Sequence, residues 1–208
     1  MTTELIAVSA GLALIALAIL SFETRRSSTK TLVLIAVLGA IAALGRIPFA
    51  VIPSAQPTTF IVIVSAIVFG PGVGAAVGML AAFVSNFFLG HGPWTFFQMA
   101  AWGSCGLLTG ILARHLPQLE QRRMLTIYGA AWGLVFGWMM NFWIWYSFVW
   151  PHTLETWIAS NLASLWFDLI HSSSNALFLW FFSIEIILIL RRFKKRMSWE
   201  IIATQATI

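Results

Sequence analysis

The sequence predicts an all-α integral membrane protein, a six-helix bundle with one additional N-terminal transmembrane helix. Three observations carry this. Of 208 residues, 60% are hydrophobic and only 9% charged, whereas a soluble domain carries about 25% charged residues to keep its surface hydrated. The apolar residues fall into long uncharged runs, with a mean hydropathy of +0.89. Eleven of the twelve cations sit in three clusters between or after those runs: Arg25, Arg26 and Lys30; Arg114, Arg122 and Arg123; and Arg191, Arg192, Lys194, Lys195 and Arg196. Six or seven spans of about 20 residues leave only short loops in a chain of this length. We therefore expect an N-terminal helix over 1–24, one membrane domain over 25–196 and a cytoplasmic tail over 197–208.

A net charge of +5 would suggest nucleic-acid binding in a soluble protein. Here the clustering marks the cytoplasmic ends of membrane helices instead, and no nucleic-acid partner is expected. Cys105 is the sole cysteine, which excludes an internal disulfide and a cysteine-based metal cage.

Residues 5–22 carry no charge and follow Glu4, with Arg25 and Arg26 after them. That is the reverse of a secretory signal's polarity, so the reading is a retained helix whose N-terminus is extracellular. The next run starts after Lys30 and meets Arg46, Pro48 and Pro53; because proline disfavours helix before it, this helix is expected to end near Gly45. Thr58–Phe69 and Val73–Leu89 flank Gly70-Pro71-Gly72, a turn by its backbone demands. The first of the two is too short to span unless neighbours bury its ends. Thr95–Ala113, Met124–Val149 and Trp157–Leu190 complete the series. Numbered from a cytoplasmic Arg25 cluster, the six main helices put every basic cluster inside, with a cytoplasmic C-terminus. Ala36 with Ala40 and Gly39 with Ala43 repeat small residues at four-residue spacing, which permits close helix approach, either within the bundle or to a partner.

Catalytic signatures are missing. The chain has no Gly-x-x-x-x-Gly-Lys-Ser/Thr loop for nucleotide phosphates, no His-Glu-x-x-His helix and no Gly-x-Ser-x-Gly elbow. No catalytic residue, metal or cofactor is expected, and any ATP hydrolysis belongs to other subunits.

Polar residues inside the apolar runs are few, and each is costly in lipid. Asp168, His171 and Asn175 fall on one helical face at i, i+3 and i+7; they either contact a ligand or pin the bundle. Asn86, His91, Trp94 and Gln98, with Trp102 beyond them, are expected to converge at the outer mouth, where Gly90 and Gly92 turn the chain. Asn141 lies below the crowded Trp143, Trp145, Tyr146 and Trp150, which form either a pocket wall or an interfacial girdle. Arg46, the one cation outside the clusters, sits with Gln56 at the same mouth, as a snorkelling side chain or an anchor for a ligand carboxylate, phosphate or amide. The competing chemistry is an intramembrane metal-dependent enzyme using Asp168, His171 and His91.

Gln56-Pro57-Thr58-Thr59, Phe69-Gly70-Pro71 with Gly74 and Gly78, the stretch from Ser85 to Thr95 with Gln98-Met99 and Ala101-Trp102-Gly103, and Asp168-Leu169-Ile170-His171 with Asn175-Ala176 resemble the substrate-binding S components of energy-coupling factor (ECF) transporters. The likeness covers roughly residues 31–190. It implies a six-helix subunit that captures a vitamin or related micronutrient from outside. The subunit then works with a transmembrane coupling subunit and two cytoplasmic ATPases, and tilts bodily to release the ligand. The likeness also implies that Ala36 and Ala40 dock the coupling subunit. The motif set is most similar to the branch linked to cobalamin and its precursors. Thr2, where metal-ion components carry histidine, argues against a free nickel or cobalt substrate. The N-terminal helix is an addition to the family's six.

Overall fold

A computed structural model describes the backbone of residues 28–205 and the side chains of residues 28–196. The helix expected over 5–22 lies outside the described residues. What is described is helical throughout: α1 (Thr29–Phe49), α2 (Thr58–Phe69), α3 (Pro71–Leu89), α4 (Trp94–His115), a 3-10 turn (Pro117–Glu120), α5 (Arg122–Phe148) and α6 (Leu154–Gln205). No strand occurs among the described residues. Four helices, α1, α3, α4 and α6 as far as Arg196, are long and apolar enough to cross a membrane. With 27 residues α5 has the length, but its tryptophans, tyrosines and glycines dilute its hydropathy.

One boundary departs from the sequence reading. Ser28 caps α1, its Oγ accepting from the Thr31 amide at 3.3 Å; the helix then runs past Gly45 to Phe49 with Pro48 inside it. A proline in the last turn removes a single backbone bond, since most carbonyls there are already without intrahelical partners. The preceding Arg46 is meanwhile held by neighbouring helices. The helix closes one turn later, the Ala50 amide donating to Ile47 O at 3.1 Å.

The short α2 is the hub. Nine of its twelve residues are buried, and it touches α1, α3, α4, α5 and α6. Enclosed by these neighbours, it need not match the bilayer thickness itself. Gly70, at φ +96°, turns the chain from α2 into α3. Backbone meets backbone between α3 and α4: a Cβ on Gly78 would lie 2.3 Å from the Trp102 carbonyl oxygen, and one on Gly106 2.2 Å from that of Gly74. Larger residues there would force these helices apart.

The small residues of α1 divide between two faces. Gly39 packs on Leu80 of α3 and Ala43 is buried, so this pair serves the interior. Ala36 is exposed and Ala40 half-buried, within an unpartnered face that includes Val33, Val37, Ile41 and Leu44, each more than half exposed.

Two ion pairs gather at one end of the bundle. Arg122 meets Glu185 at 3.0 Å and Arg191 meets Glu120 at 2.6 Å. Lys194 donates to Val68 O at 2.6 Å, at the end of α2. The second and third basic clusters thus share one end.

Candidate functional site

At the opposite end, buried polar side chains from several elements meet around Arg46. Its guanidinium, in the last turn of α1, is 8% exposed. Nε donates to Gln56 Oε1 at 2.7 Å, from the loop before α2. Nη1 donates to Ser85 Oγ and, at 3.2 Å, to Asn86 Oδ1, both near the end of α3. The guanidinium carbon lies 4.8 Å from the centroid of the Trp102 ring, a favourable place for a cation. Asn86 Nδ2 continues the chain to Thr95 Oγ1 and to Gln98 Oε1 on α4, each at 2.8 Å.

A second branch starts at fully buried Trp102. Its Nε1 donates to Thr59 Oγ1 at 3.0 Å, and that hydroxyl is 3.2 Å from His171 Nε2. His171 Nδ1 is 2.9 Å from Ser54 O. A carbonyl only accepts, so Nδ1 carries the hydrogen. The loop is also tied down by the Gln56 amide donating to Ser174 Oγ at 3.1 Å. The His171 ring stacks on Phe136 at 4.9 Å. With both nitrogens engaged inside the protein, His171 positions the loop and α2 and is not a free base or metal ligand.

The other sequence candidates sit apart from this network. Asp168 accepts from Asn141 Nδ2 at 3.3 Å and Ser164 Oγ at 3.2 Å, and Asn141 also reaches Asn161. This cluster joins α5 to α6, and only glycine fits opposite it: a Cβ on Gly137 would be 2.2 Å from Asp168 Oδ1. Asn175 is fully buried; its Nδ2 donates to Gly129 O at 3.2 Å, and its Oδ1 has no partner. His91 packs on Phe87 at 4.5 Å and touches the network only through Thr95 Oγ1, 3.4 Å away. Trp94 is 38% exposed and folds back over Gly92. So Arg46, Gln56, Asn86, Gln98, Trp102 and His171 come together, Asn141 and Asp168 form a second group, and His91, Trp94 and Asn175 stand outside both.

Residues that single-letter chemistry did not flag complete the network: Ser54, Thr59, Ser85, Thr95 and Ser174. Each is a small hydroxyl in or beside an apolar run, and Thr59, Ser85 and Thr95 also lie within the motifs of the family likeness. Among the described residues no three His, Cys, Asp or Glu side chains lie close enough to hold a metal ion. The arrangement suits recognition by hydrogen bonds.

Two concavities flank the site. One, of about 390 Å³, is lined by Phe142, Trp145, His152, Thr153, Leu154 and Trp157 on the α5–α6 hairpin. The other, of about 430 Å³ and almost wholly apolar, runs between Phe49, Ile52 and Ala55 and the face of α6 that carries Trp166, Leu169 and Phe178.

Residues 30–190 match the family model described as ECF transporter, substrate-specific component. Among curated proteins, a UPF0397 protein of Aliivibrio salmonicida is 29% identical over 102 residues, which cover 47% of this chain and 53% of that protein. The chain thus spans about half the length of the curated relative it matches. No solved structure matches.

Proposed function

Since the chain belongs to the family of ECF transporter substrate-specific components, we propose that it captures a vitamin-like micronutrient at the outer face of the cell membrane and delivers it through the network centred on Arg46. The observation that carries this reading is the convergence of buried polar side chains from α1, α2, α3, α4, α6 and one loop at the end opposite the basic clusters. The positive-inside rule makes that end extracellular. Polar groups are brought together at this depth, against the preference of lipid, where a ligand needs them. The subunit itself is a binder and not an enzyme.

In this reading the six helices α1–α6 form the substrate domain within 25–196. The segment 1–24 adds a helix with an extracellular N-terminus, and 197–208 is a cytoplasmic tail. A transmembrane coupling subunit docks on the open face of α1 through Ala36 and Ala40, and two cytoplasmic ATPases supply the energy. Cobalamin or a precursor is the first ligand to test, because the motif set is most similar to that branch and the aromatic α5–α6 hairpin offers surface to a large ligand. Asp168 and Asn141 are held as a second contact group beside the network.

The test is to purify the protein from its native membrane, denature it and identify the released small molecule by mass spectrometry. A micronutrient released from wild type and lost in Asn86→Ala is the expected result. A correctly folded protein that releases nothing and binds no micronutrient would sink the proposal.

A further inference from the structure

Hydrogen-bond polarity around Arg46 carries the reading further, to the class of substrate, and this step rests on the network being the substrate site. Arginine has five donors and no acceptor. Its bonds to Gln56 Oε1 and Asn86 Oδ1 therefore fix which way both amides face. Asn86 must then present its NH2 group to Thr95 and to Gln98 Oε1, which fixes Gln98 in turn. One branch passes through Thr95 Oγ1 to His91; around the guanidinium itself the network finishes at Gln56 Nε2, Gln98 Nε2 and Arg46 Nη2. All three are donors, and none has a hydrogen-bond partner among the described residues.

Charge points the same way. Arg46 and Asp168 are the charged residues buried among the described side chains, leaving aside His171. The carboxylate of Asp168 is engaged by Asn141 and Ser164, and the two ion pairs of the described residues lie at the other end. Arg46 therefore holds a buried positive charge against neutral acceptors and one indole ring. A buried charge without a counter-ion is among the costlier things a membrane bundle can hold.

We propose that the substrate brings an anionic group, a carboxylate or a phosphate, to Arg46, with the amide NH2 groups of Gln56 and Gln98 as flanking donors. Such a group accepts from all three at once and neutralises the guanidinium. A cationic group placed at Arg46 itself would meet these donors and the positive charge of the guanidinium.

The probes are sodium acetate, inorganic phosphate and acetamide, added to the full chain in detergent at constant ionic strength, with thermal unfolding as the readout. Acetate or phosphate should raise the midpoint by about 3–6 °C at tenfold over its dissociation constant. Whichever does so names the carboxylate or the phosphate, and acetamide should have no effect. Arg46→Gln should lose the response. Because that variant leaves neighbours unpaired, Gln98→Glu provides a second arm: it places a carboxylate inside the network, so it should unfold no earlier than wild type and ignore both anions. Equal protection by acetamide, silence of both anions on wild type, or an unchanged anion response in Gln98→Glu would each overturn the inference. The anion response does not depend on what native membranes supply, so a native preparation that releases no micronutrient fails the transport reading alone. Release of a neutral micronutrient, with both anions silent, overturns only the substrate class.

Discussion

The two ends of the bundle hold their cations in opposite ways. At one end Arg122, Glu185, Arg191 and Glu120 form exposed ion pairs, and such pairs contribute about 0–1 kcal/mol each. At the other a single arginine is buried, without a counter-ion, among neutral side chains. Eleven of the twelve cations are clustered in the sequence, whereas Arg46 stands alone and is held by Gln56, Ser85 and Asn86.

The sharpest way to break this contrast is at Arg46. Arg46→Ala orphans the oxygens of Gln56, Ser85 and Asn86. It should abolish ligand binding and lower stability by about 1–3 kcal/mol, the cost of leaving buried neutral acceptors unsatisfied, as read by thermal unfolding and ligand binding on the same sample. Next is Gly137→Ala, whose Cβ would collide with Asp168. It should cost about 1–3 kcal/mol by prying α5 from α6, while leaving the Arg46 network and its anion response in place. Asp168→Asn comes third. If the Asp168 group contacts the ligand, affinity should fall about tenfold, equivalent to ~1.4 kcal/mol, with unfolding little changed. Unaltered affinity would restrict Asp168 to packing. At the other end, Glu185→Ala should shift stability by less than about 1 kcal/mol and leave binding alone. A loss larger than that at Arg122–Glu185 would erase the distinction between the two ends.

Much of this was legible in the residues. The apolar runs marked the six helices because membrane spans are long and uncharged, and Gly70-Pro71 marked the tightest turn. Arg46 and Gln56, and Asn86 and Gln98, stood out as polar groups in apolar surroundings, and each pair is joined in space. The last turn of α1 was missed because proline's rule concerns helix interiors. Asp168, His171 and Asn175 do share a helical face, but seven residues rise about 10 Å. Each therefore meets a different partner: Asn141 on α5, Thr59 and the loop, and Gly129 on α5. Face is readable from spacing, whereas depth depends on tertiary register. The hydroxyls of Thr59, Ser85 and Thr95 stood out only as members of the family motifs, because serine and threonine sit easily in membrane helices and show no role until their neighbours are known.

The brevity of α2 makes it depend on its neighbours. Twelve residues of helix measure about 18 Å, against a hydrocarbon layer of about 30 Å. Its Val68 end is tied to Lys194 among the basic residues, and its Thr58 end, where Thr59 meets Trp102 and His171, lies buried inside the bundle. A helix this short depends on the helices around it, which bury nine of its twelve residues, so the polar end that carries Thr59 is fixed by its neighbours and not by contact with the membrane surface.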